Sequence, residues 1–321
     1  MKNAYYLIVS SLILISTLAG CSSQPKPTTT AQPSSTITPS DNTTSLDNPG
    51  FLTDNKMALL EAREYPWSSL GRLNVAGRHF CNGVMVGKSK LLVPASCLYD
   101  LVEGRWFQPR EMVFVAGYQR DDSTIFSPAD NYQIAQGFVP QNKSLKSLLN
   151  NWALINLSVP LGEHTGWAGV RNKVTEQDLT MMAGYRRGWE HVQALFPLCN
   201  QSSDKCPQRN DGPLNRYIID ANGLFLAPNH PISSLTYTLW DLPTSPQAPN
   251  KFNYVSPIPK NSVHRLLVDL GYLDRTSSDV KAATSAAQND LGPTQSRQPD
   301  INTLYLLLRE LNRSRNGSPA S

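Results

Sequence analysis

The sequence predicts an all-β domain with a helical extension at its C-terminus. Three observations carry this. From about Tyr65 onward the apolar runs are strand-length and broken by Gly, Pro and Asn, with few windows at helical spacing. Pro is abundant, at 24 of 321 residues, and only 17% of residues are charged against 40% hydrophobic. That balance suits one β-rich domain of about 200 residues with extended flanks. The windows that do read as helices lie beyond Pro259.

Taken in order, the chain opens with a targeting segment. Lys2 supplies a positive start, and Ala4 to Leu18 is an apolar run too short to span a bilayer comfortably. It ends in Leu18-Ala19-Gly20-Cys21, which resembles a bacterial lipobox. The resemblance implies that residues 1–20 are a signal peptide and that Cys21 is lipidated, becoming the first residue of the mature chain. Ser22, rather than Asp, follows it. In enteric-type bacteria that implies the outer membrane, with the domain facing the periplasm or the cell surface. A multiply acylated terminus anchors stably, since each buried methylene contributes about 0.8 kcal/mol.

Residues 21–58 are expected to be a tether. Up to about Asn48 they are rich in Ser, Thr, Pro, Gln and Asn and cannot bury enough apolar surface to fold. Strands follow at Leu91 to Val93, Met112 to Ala116, Ala153 to Leu157, Leu179 to Ala183 and Tyr217 to Ile219. Ser262 to Leu270 reads as a helix. Asn261 or Ser262 can cap it, and Val263, Leu266, Leu267 and Leu270 form its stripe. Residues 276–299 read by composition as a linker. Asp300 can then cap a last helix, Ile301 to Arg313, within a C-terminal segment 300–321. Its face is Ile301, Leu304, Tyr305, Leu308 and Leu311, with Leu307 beside it. A short helix beyond a linker is marginal alone in water, so this face must pack on its own domain or on another protein. Its apparent isolation from the rest of the chain makes it a candidate partner-binding helix.

Composition excludes some functions. The net charge of +4 is spread along the chain, with no basic stripe interleaved with aromatics, so nucleic acid is not an expected partner. His79, His164, His191, His230 and His264 are scattered without metal-ligand spacing. No metal and no cofactor is expected. With Cys21 set aside, Cys81, Cys97, Cys199 and Cys206 remain, an even number that suits two disulfides in an oxidising compartment. Cys199 and Cys206 are too far apart for a redox motif. Ser202 and Ser203 between them lack a Gly elbow and read as a solvated loop. Trp67, Trp152, Trp167 and Trp189 read as packing residues.

The most specific segment is Cys81 to Cys97, Cys-Asn-Gly-Val-Met-Val-Gly-Lys-Ser-Lys-Leu-Leu-Val-Pro-Ala-Ser-Cys. It resembles the catalytic-histidine segment of the trypsin-like serine proteases. There a half-cystine and an apolar strand close on Ala-Ala-His-Cys, with the cysteines sixteen positions apart, as here. Weaker likenesses to the bacterial glutamyl-endopeptidase type follow in family order. They are Tyr65 to Leu73, Leu98 to Asp100, Gly104 to Trp106, Val113 to Tyr118, Asn151 to Leu157, Gly166 to Gly169 and Ala183 to Tyr185.

The resemblance covers about residues 60 to 275 and implies a domain at 59–275 built of two six-stranded β-barrels. It also implies a Cys81–Cys97 disulfide and, with it, a Cys199–Cys206 pair. His79 stands where many members keep a structural histidine.

Against that family the catalytic positions read as lost. Ser96 stands where the resemblance places the histidine, and a hydroxyl cannot act as a base near neutral pH. Asn151 stands at the aspartate and carries no charge to stabilise an imidazolium. The nucleophile loop is best matched by Gln208 to Leu214. Aligned from Gly212-Pro213-Leu214, the serine position is Asn210; aligned on Asp211, the serine is deleted.

The reading that follows is a non-catalytic, lipid-anchored envelope protein. It is expected to bind proteins or serve as a structural subunit of an outer-membrane assembly such as a secretion-system complex. An active hydrolase with rearranged groups and a peptide-binding module using the former substrate cleft are the alternatives.

Overall fold

The computed structural model describes residues 58–120, 125–171, 175, 178–186, 189–196, 216–227, 242–251, 255–292 and 296–315, all within the compact unit Leu46–Ser321. The signal and the tether up to residue 57, Cys21, the Cys199–Cys206 pair, Ser202, Ser203, Asn210 and His230 lie outside the described residues, while Ala58, the last residue of the expected tether, is in the first strand. No helix among the described residues is long and apolar enough to cross a membrane.

The strands are β1 (Ala58–Leu59), β2 (Leu70–Val75), β3 (His79–Met85), β4 (Lys90–Val93), β5 (Tyr99–Asp100), β6 (Arg105–Trp106) and β7 (Met112–Ala116). Then come β8 (Ile125–Ile134), β9 (Ala153–Leu157), β10 (Gly169–Val170), β11 (Thr180–Arg186), β12 (Trp189–Phe196), β13 (Arg216–Asp220) and β14 (Gly223–Leu226). Four of the five runs expected as strands fall within β4, β7, β9 and β13, and the fifth, Leu179 to Ala183, begins one residue before β11. The helices are α1 (Leu145–Leu149), α2 (Gly162–Thr165), α3 (Lys260–Asp269), α4 (Val280–Leu291) and α5 (Ile301–Arg315).

Six strands close a barrel in the order β2-β3-β4-β9-β8-β7. The second set of six runs β1-β12-β11-β13-β14-β10 and is an open sheet among the described residues. The expected pair of closed barrels is therefore seen as one barrel and one open sheet.

The apolar runs of β4 and β9 are continuous because both faces of these strands are covered. Leu91, Val93, Ala153 and Ile155 point into the barrel with Leu73, Val75, Met85 and Phe114. Leu92 and Leu154 point outward, into a second core shared with Trp67, Trp152, Leu195, Tyr217 and the C-terminal helices. Close approach dictates two glycines. A Cβ on Gly71 would stand 2.3 Å from the Val115 carbonyl oxygen. Gly184 has φ +144, and a Cβ there would meet Asn82 Oδ1 at 2.7 Å. That contact matters because Asn82 on β3 bonds both backbone groups of Tyr185 on β11. Its Oδ1 accepts from Tyr185 N at 2.6 Å and its Nδ2 donates to Tyr185 O at 2.9 Å.

The C-terminal region corrects two expectations. The supposed linker holds α4, whose Asp279 cap accepts from the Ala282 amide at 3.0 Å. Its composition misled because its buried face is built of small and polar residues, Ala283, Thr284, Ala287 and Gln288. Small residues let helices pack closely, and Gln288 is satisfied inside the contact. It donates to Thr303 Oγ1 at 2.6 Å and accepts from the Arg297 amide at 2.8 Å.

The last helix, α5, is capped as expected, with Asp300 accepting from Thr303 N at 2.8 Å. Its apolar face is not free. Leu304, Leu308 and Leu311 are buried, with Ile301 and Tyr305 packed beside them, against residues of α3, α4 and the second sheet. The partner-binding role expected of these five residues is withdrawn, because burying them inside the molecule already satisfies the hydrophobic effect.

Candidate functional site

Two of the three positions singled out through the family resemblance, Ser96 and Asn151, meet in space. β4 and β9 pair antiparallel, with Val93 opposite Ala153, so the end of one strand lies beside the start of the other. Pro94 leads β4 into a single 3-10 turn, Ala95–Leu98, which presents Ser96 to solvent. Asn151 lies two residues before β9.

Side chain and backbone then interlock. Asn151 Oδ1 accepts from the Ser96 amide at 2.7 Å, and Asn151 Nδ2 donates to Ser96 Oγ at 3.1 Å. Both groups are neutral near pH 7. Each carboxamide heteroatom of Asn151 has its partner in Ser96, whose hydroxyl accepts from Nδ2.

The Cys81–Cys97 disulfide joins β3 to the Ser96 turn, with Cα atoms 6.3 Å apart. His79, also on β3, is exposed. Its Nε2 lies 3.1 Å from the Cys97 carbonyl oxygen, and its ring sits 5.6 Å from that of Phe107. The ligand atoms of His79, Cys81 and Cys97 lie within 4.8 Å of one another. They do not make a metal centre, because sulfurs joined to each other offer no thiolate. Among the other described histidines, His191 bonds Tyr118 OH through Nδ1 at 2.9 Å, while His164 lies in α2 and His264 in α3. They converge on no common site.

Trp67 and Trp152 are fully buried in the shared core, and Trp167 packs on the barrel. The side chain of Trp189 lies outside the described residues, as does Asn210, the third position singled out through the resemblance.

Sequence reading missed the charged lattice beside the site. Arg78 bonds Asp100 at 2.6 Å and Glu103 at 2.9 Å; Arg105 bonds Glu103 at 2.6 Å and Glu111 at 2.8 Å. The two Arg105 bonds to Glu111 hold that carboxyl down to about 2, aided by the Gln108 amide. Asp100 is lowered chiefly by the Glu103 amide, and Glu103 by Arg78. The hairpin spacing Asp100 opposite Arg105 was a usable signal.

Sequence reading also missed Glu64, a buried residue whose carboxylate accepts from the Asn261 and Ser262 amides at 2.7 and 3.0 Å and from Ser262 Oγ at 2.9 Å. It caps α3 in place of the expected Asn261 or Ser262. Burial raises its pKa, against those three bonds.

No family model matches this chain, and no curated protein matches it. Among solved structures it is similar to a Glu endopeptidase in complex with MPD, at 14% identity and a TM-score of 0.43, over 54% of this chain and 83% of that one. It is also similar to a scabies mite inactivated protease paralogue, S-D1, at 14% identity and a TM-score of 0.31, over 43% of this chain and 60% of that one.

Proposed function

We propose that this protein is a catalytically degenerate relative of the trypsin-like serine proteases, held to the outer membrane through an acylated Cys21. It acts as a non-catalytic protein-binding or structural subunit of an envelope assembly. One observation carries the loss of chemistry. The residues at the base and orienting-carboxylate positions, Ser96 and Asn151, are neutral and bonded to each other. A serine nucleophile needs a base to take its proton and a carboxylate to hold that base, and neither role is available to this pair. The barrel and its disulfide persist around the pair, as a scaffold kept for binding requires. The assembly role rests on that contrast and on the expected anchor, no longer on the terminal helix.

The test is to purify the native protein from cells, crosslinked and uncrosslinked, and to treat it with a fluorophosphonate probe. The expected result is co-purifying envelope protein and no labelled serine. Stoichiometric labelling of one serine would make it a hydrolase, and recovery as a lone monomer with nothing crosslinked would end the assembly reading.

A further inference from the structure

Of the large apolar residues left exposed among the described residues, five fall in two neighbouring segments. Leu101 and Val102, 67% and 92% exposed, form the tip between β5 and β6. Val139, Leu145 and Leu148, at 50%, 67% and 52%, lie on and just before α1. Rings join the segments: Tyr99 stands 5.0 Å from Trp106, and Trp106 stands 6.2 Å from Phe138. Exposed Lys143 and Lys146 sit among the apolar side chains of the second segment. Single exposed apolar residues are ordinary, whereas a group of this kind marks a surface that another phase or molecule covers.

Its chemistry selects the occupant. Aliphatic tips backed by Trp and Tyr and accompanied by lysines match the headgroup region of a bilayer. There aliphatic side chains enter the acyl boundary, aromatic rings sit at the interface and ammonium groups meet anionic headgroups. The acidic residues at the hairpin tip, Asp100 and Glu103, are each paired with arginine, which offsets their charge.

We propose that this patch docks the domain on an anionic phospholipid surface. The presence of a bilayer within reach rests on the anchor reading above. Residues 22–57 between Cys21 and β1, at up to about 3.1 Å each when extended, permit the contact without forcing it.

The test uses the processed chain, residues 21–321, with Cys21→Ser, so that neither signal peptide nor acyl chain contributes. It is sedimented with vesicles of phosphatidylethanolamine and phosphatidylglycerol. The parent should bind. Val102→Asp/Leu148→Asp should lower the partition coefficient about tenfold or more, and Lys143→Glu/Lys146→Glu should weaken it in vesicles rich in phosphatidylglycerol. Unchanged circular dichroism and melting should accompany both pairs.

The proposal is overturned if the parent stays in the supernatant or if the apolar pair binds as before. It is also overturned if that pair turns a vesicle-free dimer into a monomer, which would make the occupant a second copy. Palmitate labelling of the native Cys21 in cells reads the anchor separately, so failure of either reading leaves the other standing.

Discussion

Asn151 reaches across from the start of β9 to hold Ser96 by two hydrogen bonds, one to its backbone amide and one to its hydroxyl. The pair joins two barrel strands at the point where the resemblance places an imidazole and a carboxylate. On the function proposed above, a histidine at position 96 alone should not confer hydrolysis. Ser96→His leaves an imidazole beside a neutral carboxamide, which can hold the wrong tautomer and cannot stabilise an imidazolium. The expected outcome is no hydrolysis of fluorogenic peptides above background. Measurable turnover in that single variant would show that the other catalytic groups lie elsewhere. Asn151→Ala should cost about 0.5–1.5 kcal/mol in urea unfolding, since both lost bonds are near solvent and water can replace them.

The Cys81–Cys97 bridge closes a loop that contains this turn. A loop of about 15 residues stabilises by roughly 3 kcal/mol in the chain-entropy model. Cys81→Ala/Cys97→Ala should therefore lower the unfolding free energy by about that amount. Equal urea midpoints for the variant and the parent would mean that the bridge contributes nothing to the folded barrel.

The barrel was legible in the sequence because its strands have strong local signals. Leu91 to Val93, Met112 to Ala116 and Ala153 to Leu157 are short, apolar and bounded by breakers, and all three became strands. The meeting of Ser96 and Asn151 was legible only through a family resemblance, since 55 residues separate them and no local rule pairs them.

What stayed hidden depends on tertiary context. The fully buried residues of α4 are Ala283, Thr284, Ala287 and Gln288, with Val280 and Leu291 only partly buried at its ends, so its composition looks like a linker until α5 covers it. The freedom assigned to α5 was an error of the same origin, because an amphipathic stripe does not say which surface buries it. Glu64 was invisible as a cap because it sits 197 residues from the amide it serves.

That cap gives a prediction with a sign. Glu64→Gln places an amide donor against the Ser262 amide and hydroxyl and should cost about 1–3 kcal/mol. Burial holds the folded pKa of Glu64 above the ordinary value of 4.5. The native state therefore keeps its proton where the unfolded chain has lost it, and the carboxyl's contribution falls as pH rises from 4.5 through the folded pKa. The deficit of the Gln variant should be larger at pH 4 than at pH 7 in parallel urea titrations. A deficit that grows with pH would contradict the raised pKa of this carboxyl.

Glu111 predicts the opposite limb. Arg105 lowers its pKa from 4.5 to about 2, so the unfolded chain takes up a proton first as the solution is acidified. Its contribution is present above pH 4.5 and is lost as pH falls toward about 2. Glu111→Gln should flatten the acid side of the stability profile and leave its slope above pH 6 unchanged. The same substitution should reduce the salt sensitivity of the melting temperature, because this pair lies near solvent.

The terminal helix supplies the sharpest contrast between a docking element and a core element. A face kept for another protein should tolerate truncation in the isolated chain and lose only binding. Leu307 and Leu308 are instead 0% exposed, packed in the core that also holds Trp67, Leu92, Tyr217 and Leu266. Leu308→Ala removes buried methyl groups and leaves a cavity, so it should destabilise the domain by about 2–5 kcal/mol. Loss of α5 should also uncover the faces of α3 and α4 that it buries, and raise binding of a hydrophobic dye. Because the shared core continues through Leu92 and Leu154 into the outer wall of the barrel, the Leu308→Ala variant should unfold in one transition, with barrel and helix signals lost together. Two separated transitions, with the barrel melting at its original temperature, would mean that α5 is a detachable appendage after all.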